Sequence, residues 1–200
     1  AKRGYQVTIA DKTDTLGGRL NFEASLPGLS AWGRVKDYRL YALQQMANVN
    51  LYPASEMNAE DILELGHQRI VIATGSYWTK MLWSSLEIPV GTLDKANVYT
   101  PDDIASGTVP ESPVLVYDFD NYYMGGVIAE HLVNQGCDVS YATPAGHASA
   151  WTLMTNELPL IYQRLEEKHI DVTTQTLLTD KNNDIAIMKD VFTNKESEIK

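Results

Sequence analysis

Apolar residues fall along the chain in short β-rich runs separated by stretches of helical period, the alternation expected of an α/β protein. The first run, Tyr5-Gln6-Val7-Thr8-Ile9-Ala10, follows Gly4 and closes at Asp11. A second, Gly136-Cys137-Asp138-Val139-Ser140-Tyr141-Ala142, repeats it with glycine, valine and terminal alanine in register. Upstream of the second copy lie a strand from Pro113 to Tyr117, a turn, and a helix-like run from about Tyr123 to Gln135, so this copy reads as a βαβ unit. In units of the dinucleotide-binding kind, strand, turn and helix aim backbone N–H groups at a phosphate. By analogy, the first copy is expected to lack its first strand and glycine-rich turn. Lys2, Arg3 and Gly4 read as the end of a helix that precedes residue 1.

The remaining pattern places the other elements. Residues 12 to 30 read as loop, and a helix is expected from about Ser30 to Met46, with Ser30 as N-cap and Trp32, Val35, Arg39, Ala42, Leu43 and Met46 near helical spacing. Val49 to Tyr52 reads as a strand, Ala59 to Leu65 as a short helix, and Arg69 to Ala73 as a buried strand that exits at Thr74-Gly75. An irregular linker follows to about residue 98; its Tyr77, Trp78, Trp83 and Tyr99 are expected to pack between two domains. Thr100-Pro101-Asp102-Asp103 is a helix start, and Glu157 to Lys168 a helix with Pro159 in its first turn. From Thr173 to Lys200 only weak strands and a charged tail are expected. The fold class is therefore α/β, with parts of two Rossmann-like FAD/NAD(P)-type domains of three-layer sandwich architecture. Residues 1–95 form a partial ADP/FAD-type nucleotide-binding domain, and residues 96–200 a partial NAD(P)-binding-like domain with a degenerate phosphate turn.

Composition narrows the partners. Two hundred residues, 44% hydrophobic and 21% charged, describe a globular chain. Its net charge of −10 and pI near 4.8 argue against nucleic acid and anionic lipid as partners. The single cysteine, Cys137, excludes an intramolecular disulfide framework, a zinc ribbon or a self-contained iron–sulfur site within this chain. No run approaches the roughly 18 apolar residues of a membrane span, and a reducing cytoplasmic setting is expected.

Asp11 ends its strand where a carboxylate can accept the ribose hydroxyls of an adenosine, although a strand-ending Asp is also a common turn residue. Gly17-Gly18 allows backbone to pass close to a diphosphate, or is a flexible loop, and Arg19 beside it meets phosphate or solvent. Ala73-Thr74-Gly75 is a small-residue strand exit where backbone can approach a cofactor, or an ordinary turn. In the second unit a working dinucleotide turn needs G-x-G-x-x-G, yet the sequence runs Tyr117-Asp118-Phe119-Asp120-Asn121-Tyr122-Tyr123-Met124-Gly125-Gly126. At an effective dielectric of about 20, like charges roughly 4 Å apart cost on the order of 4 kcal/mol, enough to abolish useful affinity. Ala142-Thr143-Pro144, at the end of the next strand, also lacks the ribose acid. Cation binding by Asp118 and Asp120 is the alternative, weakened by having only two such ligands. His67, His131, His147 and His169 form no metal or catalytic constellation, and Tyr38 and Tyr41 could face a partner from their helix.

Taken in order, Asp11, Leu16-Gly17-Gly18-Arg19-Leu20-Asn21, Leu26-Pro27-Gly28-Leu29, Trp32, Asp37-Tyr38-Arg39, Ile72-Ala73-Thr74-Gly75 and Tyr122-Tyr123-Met124 before Ala129-Glu130 resemble the C-terminal part of the trimethylamine dehydrogenase family, from residue 1 to about 175. Dimethylamine and histamine dehydrogenases share that part, and 2,4-dienoyl-CoA reductase is a more distant relative. The resemblance implies an FMN- and 4Fe-4S-containing oxidoreductase whose catalytic barrel lies outside this chain. It also implies ADP, or FAD, bound at Asp11, Gly17, Gly18, Arg19 and Ala73 to Gly75, an electron-transfer flavoprotein as acceptor, and a homodimer. No catalytic residue or metal ligand is carried over. The aspartates at 118 and 120 favour the amine dehydrogenases over an FAD- and NAD(P)H-dependent reductase; a non-catalytic interaction module is the third alternative.

Overall fold

In the computed structural model, which describes residues 1–200, the chain divides into two units, Ala1–Ser76 and Tyr77–Lys200. In the first, Val7–Ala10 (β1) runs parallel to Val49–Tyr52 (β2), with Val7 opposite Val49 and Ala10 opposite Tyr52. Parallel pairing demands a crossover. It is supplied by a short helix, Leu20–Glu23 (α1), a 3-10 turn, Ser30–Trp32, and a helix, Gly33–Gln44 (α2). Ser30 thus opens the 3-10 turn instead of capping the long helix, and no side chain caps α2. A third helix, Ala59–Glu64 (α3), carries a reciprocal capping box between Asn58 and Asp61. Only one side chain of this unit, Leu26, is buried.

The expected buried strand at Arg69 to Ala73 is not there. The segment is irregular and open, with Val71 87% and Ile72 78% exposed. β propensity is a preference for fitting into a sheet, and this run has no hydrogen-bonded neighbour. β1 pairs with β2 on one edge, leaving its other edge unpaired.

The second unit has a layered core. Val114–Tyr117 (β5), Val139–Ala142 (β6) and Asp171–Thr173 (β7) form a parallel sheet in the order β5-β6-β7, with Val114 opposite Val139 and Ser140 opposite Asp171. The crossovers are Met124–Asn134 (α5) and Leu158–Glu167 (α6). Val127, Ala129 and Leu132 of α5, Tyr141 of β6 and Leu165 of α6 are buried, and Arg164 Nε donates to Glu130 Oε1 at 2.9 Å between the helices. The supposed linker holds an antiparallel hairpin, Met81–Trp83 (β3) with Pro89–Thr92 (β4), followed by the helix Pro101–Ala105 (α4) capped by Thr100. Trp83 stacks on Phe119 within this unit, 5.6 Å between centroids, and Tyr77 is exposed.

The C-terminal stretch also differs from expectation. It folds as an antiparallel meander of Thr176–Asn182 (β8), Ile185–Asp190 (β9) and Glu196–Ile199 (β10). A two-residue loop, Asn183-Asp184, turns β8 into β9, with Asn183 in the left-handed region at φ +51°. Thr176, Leu177 and Met188 supply its buried side chains.

Candidate functional site

The first candidate site lies at the end of β1. The Asp11 backbone N–H is bound to Tyr52 O at 3.0 Å, extending the strand pair by one residue. Its side chain forms a turn: Oδ1 accepts from Thr13 N at 2.9 Å and from Thr13 Oγ1 at 2.8 Å. The Thr13 N–H, then its hydroxyl, hold the Asp11 carboxyl below the usual range. Both of these bonds use Oδ1. Thr13 Oγ1 also lies 3.1 Å from Thr15 O, so its single proton is shared between Asp11 and the chain leading to the glycine loop.

The two glycines of that loop differ. At Gly17, φ is +127°, a conformation that favours glycine, and a Cβ would also displace the side chains of Lys36 and Asn21, 2.5 Å from Lys36 Cδ and 2.9 Å from Asn21 Oδ1. At Gly18, φ is +53° and the surroundings are open. Arg19 Nη2 donates to Ser76 O at 2.7 Å and its Nε lies 3.9 Å from Glu23 Oε1. That bond brings the loop at 17–19 to the end of the Ala73-Thr74-Gly75 segment, where Gly75 takes φ +80° in open space. The predicted residues are therefore joined by two tethers, one through Thr13 and one through Arg19.

The second candidate site is the turn from β5 into α5. Asp118, 3% exposed, accepts from Asn121 N on Oδ1 at 3.0 Å and from the Tyr141 hydroxyl on Oδ2. Burial, opposed by those bonds, pushes its carboxyl up to about 6. Tyr141 Oη in turn accepts from Ser149 N at 3.2 Å, and Thr143 Oγ1 donates to Asn121 Oδ1 at 3.2 Å. Asp120 is an exposed residue whose carboxyl is raised by the desolvating turn around it. No group of three or more His, Cys, Asp or Glu is arranged to hold a metal ion. Tyr141 was not singled out from sequence. The available signal was its place in the repeat, where the first copy has Ile9: a phenol amid a buried strand needs a partner.

The histidines do other work. His67 Nε2 lies 3.0 Å from Thr8 Oγ1, and the His147 ring meets Tyr162 edge-on. Cys137 is half-buried, with Sγ 3.7 Å from Pro110 O.

With these sites described, comparison with known proteins becomes informative. The chain is 34% identical over 154 residues to dimethylamine dehydrogenase of Hyphomicrobium sp. (strain x), covering 72% of this chain and 21% of that protein. Among solved structures, histamine dehydrogenase from Rhizobium sp. 4-9 superposes with a TM-score of 0.91 at 40% identity, over 98% of this chain and 31% of that one. The 6-hydroxypseudooxynicotine amine oxidase from Pseudomonas geniculata N1 gives 0.92 at 36% identity, over 99% and 30%. The chain thus spans a fifth to a third of the length of these relatives. Residues 99–198, from the β4–α4 connection to the end of the meander, match the family described as "OYE-like second alpha/beta domain", and the chain belongs to that family, beside the dimethylamine and histamine dehydrogenases of the NADH:flavin oxidoreductase group.

Proposed function

We propose that this chain is the nucleotide-binding region of a flavin- and iron–sulfur-containing amine dehydrogenase, and that its first unit holds ADP for a structural purpose. Similarity to histamine dehydrogenase along 98% of the chain carries this reading. The two units are parts of Rossmann-like, three-layer dinucleotide-binding domains. In the first, the strand missing beside β1 would bring the phosphate turn, as β5 does beside β6.

The residues present fit an adenosine diphosphate. Asp11 Oδ2, outside the Thr13 turn, would be left to accept ribose hydroxyls; the open Gly18 backbone would let a diphosphate approach; and Arg19, with the Ala73 to Gly75 segment it tethers through Ser76, would help hold the nucleotide. ADP supplies no redox chemistry and serves to stiffen a unit with one buried side chain of its own. FMN and a 4Fe-4S cluster, held outside this chain, supply the oxidation of the amine. An electron-transfer flavoprotein as acceptor, a homodimeric assembly and a cytoplasmic setting complete the proposal.

The test is Asp11→Ala in the full-length protein, with ADP released on denaturation counted against FMN. Loss of charge-assisted hydrogen bonds worth roughly 1.5–3 kcal/mol weakens ADP by at least about tenfold and leaves FMN content unchanged. Stoichiometric ADP in the variant would remove Asp11 from the site.

A further inference from the structure

Three buried polar side chains of the second unit form a chain of hydrogen bonds that stops one member early. Asp118, in the turn after β5, accepts from Asn121 N on Oδ1 and from the Tyr141 hydroxyl on Oδ2. Tyr141, on β6, accepts in turn from Ser149 N, in the loop before α6. Tyr141 and Ser149 are 0% exposed. The N–H and the hydroxyl of Ser149 both face the Tyr141 hydroxyl, yet Ser149 Oγ has no hydrogen-bond partner. On its other side lies Gly126, which brings no polar side chain; a Cβ there would lie 3.3 Å from Ser149 Oγ. A buried hydroxyl without a partner is uncommon and calls for a physical cause.

The proton count of the phenol supplies one. A phenol has a single proton to donate and two lone pairs. While Asp118 is ionised that proton lies on Oδ2, and Ser149 Oγ is left out. Once Oδ2 carries a proton of its own, it donates to Tyr141 Oη, whose lone pairs are then filled by Asp118 and Ser149 N, and the phenol proton turns to Ser149 Oγ. We propose that Asp118, Tyr141 and Ser149 form a reversible hydrogen-bond relay, in which proton uptake by Asp118 turns the Tyr141 hydroxyl toward Ser149 Oγ and tightens the loop before α6 on acidification. One proton enters from solvent and binds Oδ2; the Tyr141 O–H bond rotates and does not break. Burial pushes the Asp118 carboxyl up to about 6, so mild acid suffices, while burial and Asp118 raise Tyr141 and keep it a neutral phenol. The loop is already fastened to the turn by Trp151 N, which donates to Asn121 O at 2.8 Å, so the added bond acts on a formed contact. The titratable groups around the relay are Asp120 in the same turn, Tyr162 of α6, whose hydroxyl accepts from Ala148 N at 3.1 Å, and His147, whose ring meets Tyr162 edge-on; Glu130 of α5 is paired with Arg164. The inference makes no use of the nucleotide reading of the first unit.

The experiment follows the full-length protein from pH 8 to pH 5. Amide exchange over residues 145–153, corrected for the intrinsic pH dependence of exchange, reads the loop, and the infrared C=O stretch of protonated Asp118, assigned by its absence from Asp118→Asn, reads the titration. In wild type, loop protection rises about fivefold as the carboxyl takes up its proton, the gain of about one hydrogen bond. Asp118→Asn has a flat profile, and His147→Gln keeps the wild-type rise. Ser149 sits at φ +50°, a conformation open to glycine, so Ser149→Gly keeps the N–H bond to Tyr141 and removes only the hydroxyl. It loses the rise and shifts the Asp118 midpoint down, because the protonated form has lost its last acceptor; Ser149→Ala does the same and stands in if glycine loosens the loop. Tyr141→Phe shifts the midpoint the other way, up, because the ionised form has lost its donor. A packing role for Ser149 would not produce these opposite shifts. A flat wild-type profile, a rise abolished by His147→Gln, or an Asp118 midpoint that is unmoved or raised in both Ser149 variants would overturn the proposal.

Discussion

β1 and β6, one strand from each parallel sheet, share one sequence pattern and meet different fates. β6 has β5 on one edge and β7 on the other, with α5 and α6 burying its unit's core; β1 has β2 alone. Every buried apolar side chain except Leu26 lies in the second unit. Pattern therefore suffices to make a strand, while a core requires the neighbours that cover it. The Ile70-Val71-Ile72 run shows the same thing: it has strand composition but nothing to pair with, and it remains in solvent.

The largest expected effect follows from that contrast. Leu165, 1% exposed on α6, packs in the second unit's core, and Leu165→Ala destabilises it by about 2–5 kcal/mol. Urea unfolding of the 200-residue chain reads the loss, and amide exchange locates it. Val139 to Ala142 are slow to exchange in the parent and fast in the variant, whereas Val7 to Ala10 are fast in both. Equal protection of the two strands in the parent would break the comparison.

How much of this could be read from the sequence follows the same division. The second βαβ unit was legible because its apolar runs, turn and helix all lie within the chain and agree with one another. α4 was legible from Thr100, Pro101 and Asp103, since a capping box is a local device. The Arg69 to Ala73 strand was misread because strand formation depends on a partner that local composition does not reveal. The β8–β10 meander was missed because Asp180, Lys181 and Lys189 interrupt the apolar pattern of β8 and β9. At the candidate sites, Asp118 and Asp120 were read together, from charge alone. The close packing of Gly125 against Asp118 Cβ and Cγ joins residues seven apart through a turn whose shape the sequence did not disclose.

A second way to sharpen the comparison is pH. The Asp118 carboxyl rises from 3.8 to about 6 on folding, chiefly through burial. Between these values the folded state keeps a proton that the unfolded state has released, so stability from this group is full below pH 3.8 and is lost as pH rises to about 6. The shift corresponds to about 3 kcal/mol. Asp118→Asn removes this slope, and the difference between variant and wild-type unfolding free energies grows from about pH 4 to pH 6 and then levels. Asp11 and Asp103, both held low by hydrogen bonds, slope the other way and cancel in the difference. A difference independent of pH would mean that Asp118 is not buried as an acid.

The smallest expected effect uses one device placed in both units. Asn58 caps α3 by accepting from Glu60 N and Asp61 N at 2.8 and 3.0 Å; Thr100 caps α4, with Asp103 Oδ2 returning a bond to Thr100 N at 2.7 Å. Loss of a cap costs typically about 1 kcal/mol, but that cost reaches global stability only where the helix is tied to a core. α4 is so tied, through Ile104, 6% exposed, while α3 buries nothing. Thr100→Ala therefore lowers the unfolding free energy of the second unit by about 1 kcal/mol, while the Asp103 carboxyl stays low, because alanine keeps the backbone N–H that chiefly holds it down and loses only the hydroxyl. Asn58→Ala leaves global unfolding unchanged and only speeds exchange of the α3 amides. A global loss from Asn58→Ala as large as that from Thr100→Ala would show that the first unit has a core of its own.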